Sequence, residues 1–299
     1  MSFTTLIDAA SLRALRADAA PRRPVVLDCR FDLGDAGAGR RAFLAGHIPG
    51  ARYLDLNEDL SSPVTARSGR HPLPRPEALA SRLAAAGVGF PPRGDAQMVA
   101  YDEVNGSFAA RAWWLLRWLG FANVAVLDGG FRAWLADGGG VASGEGEPAA
   151  AVASGVAAAR GPVPVAEERV ASAAEVLLAL RDPHRLLIDA RAAERFSGKV
   201  EPLDPVAGHI PGAVNHPFGA NLDAAGRFLP AADLRRLWLR RLGDVAPQDA
   251  IAMCGSGVTA CHNLLAMAHA GLPGARLYAG SWSEWIRDPD RPVARGGPA

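Results

Sequence analysis

One cysteine of this chain lies at a position that suits a nucleophile. In the stretch AIAMCGSGVTACH (residues 250–262), Cys254 follows a short apolar run and precedes a segment with helical periodicity. A strand that ends in this way places the sulfur at the carboxyl edge of a sheet, where α/β proteins bind their ligands. A glycine-rich turn and a helix N-terminus present backbone N–H groups, which stabilise a thiolate or a persulfide. The pattern therefore predicts Cys254 as a nucleophile.

The five residues after the cysteine form the rest of the predicted cradle. Gly255 and Gly257 have no Cβ, so backbone N–H groups can turn towards the sulfur without a steric clash. Ser256 adds a hydroxyl group, and Val258 and Thr259 lead into the helix. We expect these five residues to surround the sulfur and whatever group it carries.

Two anion-binding chemistries use such a loop, phosphoryl transfer and sulfur transfer. Cysteine phosphatases need an arginine six positions after the cysteine, because its guanidinium clamps the phosphoryl oxygens. Here that position is Ala260, and no Arg or Lys occurs between Cys254 and Ala275. Sulfur transfer is therefore the favoured interpretation, and a phosphatase is a remote alternative.

Composition excludes several other classes of protein. The 299 residues include 32 basic and 31 acidic side chains, so no basic surplus points to nucleic acid. No apolar run approaches the roughly 18 residues of a membrane span, and the N-terminus lacks the pattern of a secretory signal. The odd count of three cysteines does not fit a disulfide framework. We expect a cytoplasmic protein with free thiols.

The chain repeats itself in order. VVLDCR (25–30) is echoed by LLIDAR (186–191), and GHIPGA occurs at 46–51 and again at 208–213. Between the two copies lies a stretch rich in Gly, Ala and Pro. The repeat predicts two tandem domains, at residues 1–140 and 166–299, joined by a linker at 141–165.

Each copy alternates short apolar runs with amphipathic segments. This alternation predicts an α/β fold in which a parallel sheet has helices on both faces. The predicted helices cover 76–87, 108–120, 231–243 and 260–271. His47 and His209 of the two GHIPGA motifs recur in both copies, so we interpret them as turn residues. The pairs Asp28–Arg30 and Asp189–Arg191 recur too, and we expect them to maintain the fold.

The two copies differ where the chemistry is expected. Aligning MVAYDEVNGSF with AIAMCGSGVTA places Asp102 of the first copy opposite Cys254 of the second. A duplicated scaffold that differs at this position predicts a catalytic second half and a supporting first half.

These motifs together resemble the two-domain rhodanese-like sulfurtransferases. The resemblance runs from about residue 5 to residue 287 and implies two tandem rhodanese-like domains. In that family, thiosulfate enzymes typically carry Cys-Arg-Lys-Gly-Val-Thr, whereas 3-mercaptopyruvate enzymes carry the Cys-Gly-Ser-Gly-Val-Thr seen here. The resemblance therefore implies that 3-mercaptopyruvate is the donor. No metal or organic cofactor is expected, because the cysteine sulfur itself carries the transferred group.

The resemblance also implies residues that bind the donor. Arg195 of the Arg-Phe pair in ERFSG matches the arginine that binds the mercaptopyruvate carboxylate. A second arginine is often found a few residues later, where this chain has Leu203 or a near neighbour. Lys199 is then the candidate replacement, although an ammonium group lacks the bidentate fork of a guanidinium.

An Asp–His–Ser proton relay has been proposed for the family. Ser256 and His71 (in GRHPLP) match its serine and histidine. The expected aspartate position reads Asn57, with Asp55 and Asp59 two residues to either side.

The resulting hypothesis is sulfur transfer through a Cys254 persulfide to a thiol acceptor or to cyanide. Reduced thioredoxin and a glutathione-like thiol are the candidate thiols. Two alternatives stay open: a thiosulfate:cyanide sulfurtransferase, and an interaction module that relays a persulfide to a partner protein.

Overall fold

The computed structural model describes residues 2–17, 23–86, 88–89, 96–145 and 162–297. The strands of this part of the chain are β1 (Leu6–Ile7), β2 (Val25–Asp28), β3 (Arg52–Tyr53), β4 (Met98–Tyr101), β5 (Val124–Leu127), β6 (Leu186–Asp189), β7 (Val214–Asn215), β8 (Ala250–Met253) and β9 (Arg276–Leu277). The helices are α1 (Ala9–Ala17), α2 (Ala38–Ala45), α3 (Pro76–Ala85), α4 (Ala109–Trp118), α5 (Gly130–Ala136), α6 (Ala173–Ala179), α7 (Ala193–Phe196), α8 (Ala231–Leu242), α9 (Thr259–His269) and α10 (Ser281–Trp285). The four predicted helices are confirmed as α3, α4, α8 and α9, each within two residues of its predicted ends.

Contacts within the chain divide it into two compact units. The first comprises Met1–Ser62, Leu73–Ala166 and Ala225–Arg227, and the second comprises Pro63–Pro72, Glu167–Ala224 and Phe228–Ala299. The segment Pro63–Pro72 comes early in the sequence but packs within the second unit. It carries His71, which the sequence alone assigns to the first repeat.

Each unit contains a parallel sheet, as predicted. The first sheet has the strand order β1-β5-β4-β2-β3, and the second has the order β7-β6-β8-β9. The central strands β4, β5 and β8 are buried along their whole length, because apolar side chains cover both of their faces. Both β4 and β8 end one residue before the position at which the copies differ.

The recurring charged pairs maintain the fold, which confirms their interpretation. Nε and Nη2 of Arg30 donate to the carboxylate of Asp28, and Arg191 binds Asp189 in the same way. All four side chains are buried. A buried ion pair of this kind needs good geometry and further hydrogen bonds to offset desolvation. The second Nη2 bond of each arginine, to the carbonyl of the glycine before His-Ile-Pro-Gly-Ala, supplies one.

The two histidines of the repeated motif are also structural. Nδ1 of His47 lies 2.8 Å from the carbonyl oxygen of Phe43, and Nδ1 of His209 lies 2.8 Å from that of Phe196. Each imidazole stacks on the ring of the same phenylalanine, with 3.9 Å between ring centroids. These contacts hold the turn against the preceding helix.

Much of the predicted linker, residues 146–161, lies outside the described residues. On either side of that gap the backbone hydrogen-bonds to the first unit, from Ala142 to His47 and from Ala166 to Trp118. None of the helices in the described part of the chain is long and apolar enough to cross a membrane.

Candidate active site

Cys254 directly follows β8, and backbone contacts on both sides fix its position. Its N–H donates to Oγ of Ser281, and its carbonyl accepts from the N–H of Trp282, each at 3.0 Å. Sγ accepts a hydrogen bond from the N–H of Gly257 at 3.1 Å. The sulfur therefore faces the loop, and only 2% of the residue is exposed.

The two loop glycines are required for different reasons. Gly257 has φ +76°, and a Cβ there would lie 2.3 Å from the carbonyl oxygen of Ala279. Gly255 is needed for space, since a Cβ there would lie 2.9 Å from Nη2 of Arg70 and 3.4 Å from Nη1 of Arg195. Gly257 thus supplies the N–H donor, and Gly255 lets two guanidinium groups approach the loop. Val258 is the N-cap residue of α9, and Thr259 is its first residue.

Ser281 is a site residue that the sequence did not reveal. It has φ +54°, the left-handed region that residues with a side chain seldom adopt, and it is fully buried. Its Oγ accepts from the Cys254 N–H and donates to the carbonyl of Tyr278 at 2.9 Å. The available signal was the repeat, because Gly130 aligns with Ser281 and also has a positive φ, +60°.

The corresponding loop of the first unit surrounds an acidic side chain. The carboxylate of Asp102, which replaces the cysteine, accepts four backbone N–H groups at 2.9–3.2 Å, those of Val104, Gly106, Phe108 and Ala109. Burial raises the pKa of Asp102, and these four hydrogen bonds lower it in part. The loop geometry is therefore built for an anion, which in the first unit is a fixed side chain.

The structure brings the predicted serine and histidine together. Nδ1 of His71 lies 2.8 Å from Oγ of Ser256, and each of these residues is 6% exposed. Of the candidate acids for the relay, Asp55 is committed to its own turn. Its carboxylate accepts the N–H groups of Asn57 and Glu58. The hydrogen bond that the structure shows within the predicted relay is the one between His71 and Ser256.

Arg195 lies beside the loop and is held there by carboxylates. Its Nε donates to Glu201 at 3.0 Å, and its Nη2 donates to Glu201 at 2.7 Å and to Asp204 at 3.2 Å. Its other terminal nitrogen, Nη1, faces Gly255. Arginine holds carboxylates through such forked contacts, which fix its plane.

A second guanidinium beside the loop comes from Arg70, which sequence reasoning missed. Nη1 of Arg70 forms an ion pair with Asp204, and its backbone N–H donates to Oγ of Ser283 at 3.0 Å. The predicted replacement, Lys199, is exposed. Among the hydrogen bonds and ion pairs of the described residues, none joins the Lys199 side chain to the loop. The only advance signal for Arg70 was its position directly before His71.

Comparison with known proteins identifies the family. A family model described as Rhodanese-like domain matches residues 8–137 and 172–288. The "Probable 3-mercaptopyruvate sulfurtransferase" of Pseudomonas aeruginosa is 49% identical over 283 residues, covering 91% of this chain and 92% of that protein. The thiosulfate sulfurtransferase of Gallus gallus is 32% identical and covers 92% and 90% of the two chains.

A solved structure has the same fold. The rhodanese-fold enzyme SseA from Escherichia coli, described as a 3-mercaptopyruvate sulfotransferase, superposes with a TM-score of 0.76 at 33% identity. The match covers 94% of this chain and 99% of that one. The chain belongs to the rhodanese-like family and is a two-domain sulfurtransferase.

Proposed function

We propose that this chain moves sulfur from 3-mercaptopyruvate to a thiol or to cyanide through a persulfide on Cys254. The observation that carries the proposal is the hydrogen bond from the Gly257 N–H to Sγ, in a loop whose counterpart holds the carboxylate of Asp102. Relatives named 3-mercaptopyruvate sulfurtransferase, at 49% and 38% identity, support this choice of donor.

In the first half-reaction the Cys254 thiolate attacks the sulfur of the donor. The new S–S bond forms as the donor C–S bond breaks, and the electron pair of that bond stays on carbon. The resulting enolate takes up a proton and leaves as pyruvate. The Ser256–His71 pair is the proposed proton source, because the two side chains lie within hydrogen-bond distance of each other and Ser256 belongs to the loop that follows Cys254. Loop N–H groups stabilise the charge that develops on sulfur.

Two guanidinium groups are proposed to bind the donor carboxylate. Nη2 of Arg70 and Nη1 of Arg195 both face Gly255, the neighbour of the nucleophile. The described structure gives neither nitrogen a protein acceptor. The loop itself contains no cation, which suits a donor with one carboxylate and a neutral carbonyl better than a small dianion.

In the second half-reaction an acceptor thiolate or cyanide attacks the outer sulfur and releases the Cys254 thiolate. The proposed acceptors are reduced thioredoxin, a glutathione-like thiol and cyanide, and the proposed compartment is the cytoplasm, where such thiols stay reduced. The loop from Gly255 to Thr259 surrounds the persulfide in this proposal. Cycling between free and sulfur-loaded enzyme predicts ping-pong kinetics.

The second candidate function is thiosulfate:cyanide sulfur transfer. The paired guanidinium groups of Arg70 and Arg195 are the observation that favours it, since they could also hold a sulfonate. Measuring kcat/KM with each donor under identical acceptor conditions separates the two functions. We expect a preference for 3-mercaptopyruvate, and a clear preference for thiosulfate would overturn that assignment.

A further inference from the structure

A carboxylate of the protein already bridges the two arginines that face the loop. Oδ1 of Asp204 forms an ion pair with Nη1 of Arg70, and Oδ2 accepts from Nη2 of Arg195 at 3.2 Å. The Asp204 side chain is 3% exposed, whereas those of Arg70 and Arg195 are 27% and 17% exposed. Each guanidinium group thus contacts the buried carboxylate of Asp204 through one nitrogen, and another of its nitrogens lies near Gly255.

A second acid holds Arg195 from a different side. Glu201 accepts from Nε and Nη2 of Arg195 and from Nη1 of Arg191 at 3.4 Å. Its Oε1 also accepts the backbone N–H groups of Leu203 and Asp204. Glu201 is therefore fixed by its own turn and orients Arg195, whereas Asp204 is the acid that both loop-facing arginines share.

The charges of this cluster balance. Arg70, Arg191 and Arg195 face Asp189, Glu201 and Asp204, so the two loop-facing cations do not present a net positive charge of two to a donor. The loop from Cys254 to Thr259 contributes no charged side chain apart from the nucleophile. Each negative charge on a bound donor is then repelled by a carboxylate that contacts the same guanidinium group.

We infer that Asp204 sets the charge of the donor that this site accepts, by allowing a monoanion and disfavouring a dianion. This inference rests on the proposed function, because it treats the arginine pair as the site of the donor carboxylate. Removing the Asp204 charge while keeping its shape should leave the arginines in place and make their field more positive. A dianion gains about twice as much from that change as a monoanion does.

Burial and neighbouring charges act in opposite directions on the pKa of Asp204, which is raised overall. Burial raises it, and the nearby charge of Arg70 lowers it. Glu201 raises it further, while Arg195 and Arg191 lower it. The charged form of Asp204 is therefore stabilised by the same arginines that a donor would use.

Anion binding without turnover tests the inference directly. Full-length Cys254→Ser protein cannot take up sulfur, so thiosulfate and pyruvate serve as the dianionic and monoanionic probes in isothermal titration calorimetry. We expect Asp204→Asn in this background to raise the affinity for thiosulfate relative to that for pyruvate by about fivefold or more. Glu201→Gln is the matched comparison: it removes one negative charge from an acid that contacts only one of the two loop-facing arginines, so we expect a smaller shift of the ratio.

The inference is overturned if Asp204→Asn leaves the ratio unchanged, including the case in which both anions weaken equally because Asp204 only holds the arginines. It is also overturned if Glu201→Gln shifts the ratio as far, or if the parent protein does not bind pyruvate. Failure of the proposed function gives a different result, since wild-type protein would then form no persulfide with 3-mercaptopyruvate whatever the two Kd values are.

Discussion

Nδ1 of His71 lies 2.8 Å from Oγ of Ser256, although 185 positions separate the two residues in the sequence. The contact exists because the segment Pro63–Pro72 packs within the unit that contains the nucleophile. A hydroxyl that shares a proton with an imidazole can pass that proton to a substrate atom. We therefore expect His71 and Ser256 to act together in the proposed reaction.

Removing either member of this pair should slow pyruvate release. We expect His71→Asn and Ser256→Ala each to lower kcat with 3-mercaptopyruvate by about 100-fold, the usual scale of general acid–base catalysis. The double variant should be no slower than the slower single variant, because residues that act as a unit are not additive. Exposed His184→Asn is the control. Additive losses, or unchanged kcat in both single variants, would show that the pair is not a relay.

The donor-binding role of Arg70 predicts a change in KM. We expect Arg70→Ala to raise KM for 3-mercaptopyruvate about tenfold to a hundredfold, because a charge-assisted contact to the carboxylate is lost. Arg67→Ala removes an exposed arginine from the same segment and should leave KM unchanged. Steady-state kinetics with saturating acceptor measure both. Equal KM values for the two variants would remove Arg70 from the donor site.

Gly257 should tolerate no side chain. With φ +76° and 2.3 Å between a new Cβ and the carbonyl oxygen of Ala279, Gly257→Ala must move the backbone that donates to the sulfur. We expect a loss of about 1–3 kcal/mol in the free energy of unfolding and slow persulfide formation. Gly219→Ala is the matched control, since a Cβ there meets no atom within 4 Å. Urea unfolding measures the effect, and equal stability of both variants would refute the strain argument.

The second unit should become less stable in mild acid because of His216. Burial lowers the pKa of this histidine from 6.5 to about 4, and Nε2 lies 3.0 Å from Oδ1 of Asn221. Between pH 6.5 and about pH 4 the unfolded chain binds a proton at His216 that the folded chain does not bind. Part of the unfolding free energy present above pH 6.5 is therefore lost as the pH falls to about 4. The full loss is about 3 kcal/mol.

A variant without this titration checks the pH prediction. His216→Gln should lower stability at neutral pH and flatten the pH dependence of the unfolding free energy between pH 6.5 and 4. His184→Asn removes an exposed histidine and should keep the wild-type slope. Parallel slopes for wild type and His216→Gln would assign the acid sensitivity to other groups.

Much of this architecture could be predicted from local sequence. The strands VVLD, MVAY and LLID were recognisable because buried parallel strands are continuously apolar. The repeat showed that the elements follow one another in the same order along both halves of the chain. The proposed nucleophile was recognisable because its sulfur and the N–H groups of its loop lie in one short segment. Asp102 was recognisable as its counterpart by the same repeat, although its four N–H donors were not.

The parts that escaped prediction depend on contacts distant in sequence. Arg70 could not be assigned to the proposed donor site because its segment packs within the unit that contains the other repeat. Asp204 and Glu201 lie in a proline-rich loop, and sequence gives no sign that they share arginines. Ser281 escaped because serine, unlike glycine, does not indicate a left-handed backbone.

Intact-protein mass spectrometry after adding 3-mercaptopyruvate detects a persulfide on Cys254 itself. We expect wild-type protein to gain the mass of one sulfur atom and to release one equivalent of pyruvate. Arg195→Ala should gain the sulfur more slowly, and Cys254→Ser should gain nothing. A subsequent thiol should restore the original mass. Sulfur gained by Cys254→Ser, or pyruvate released by wild type with no sulfur on the protein, would contradict a persulfide on Cys254.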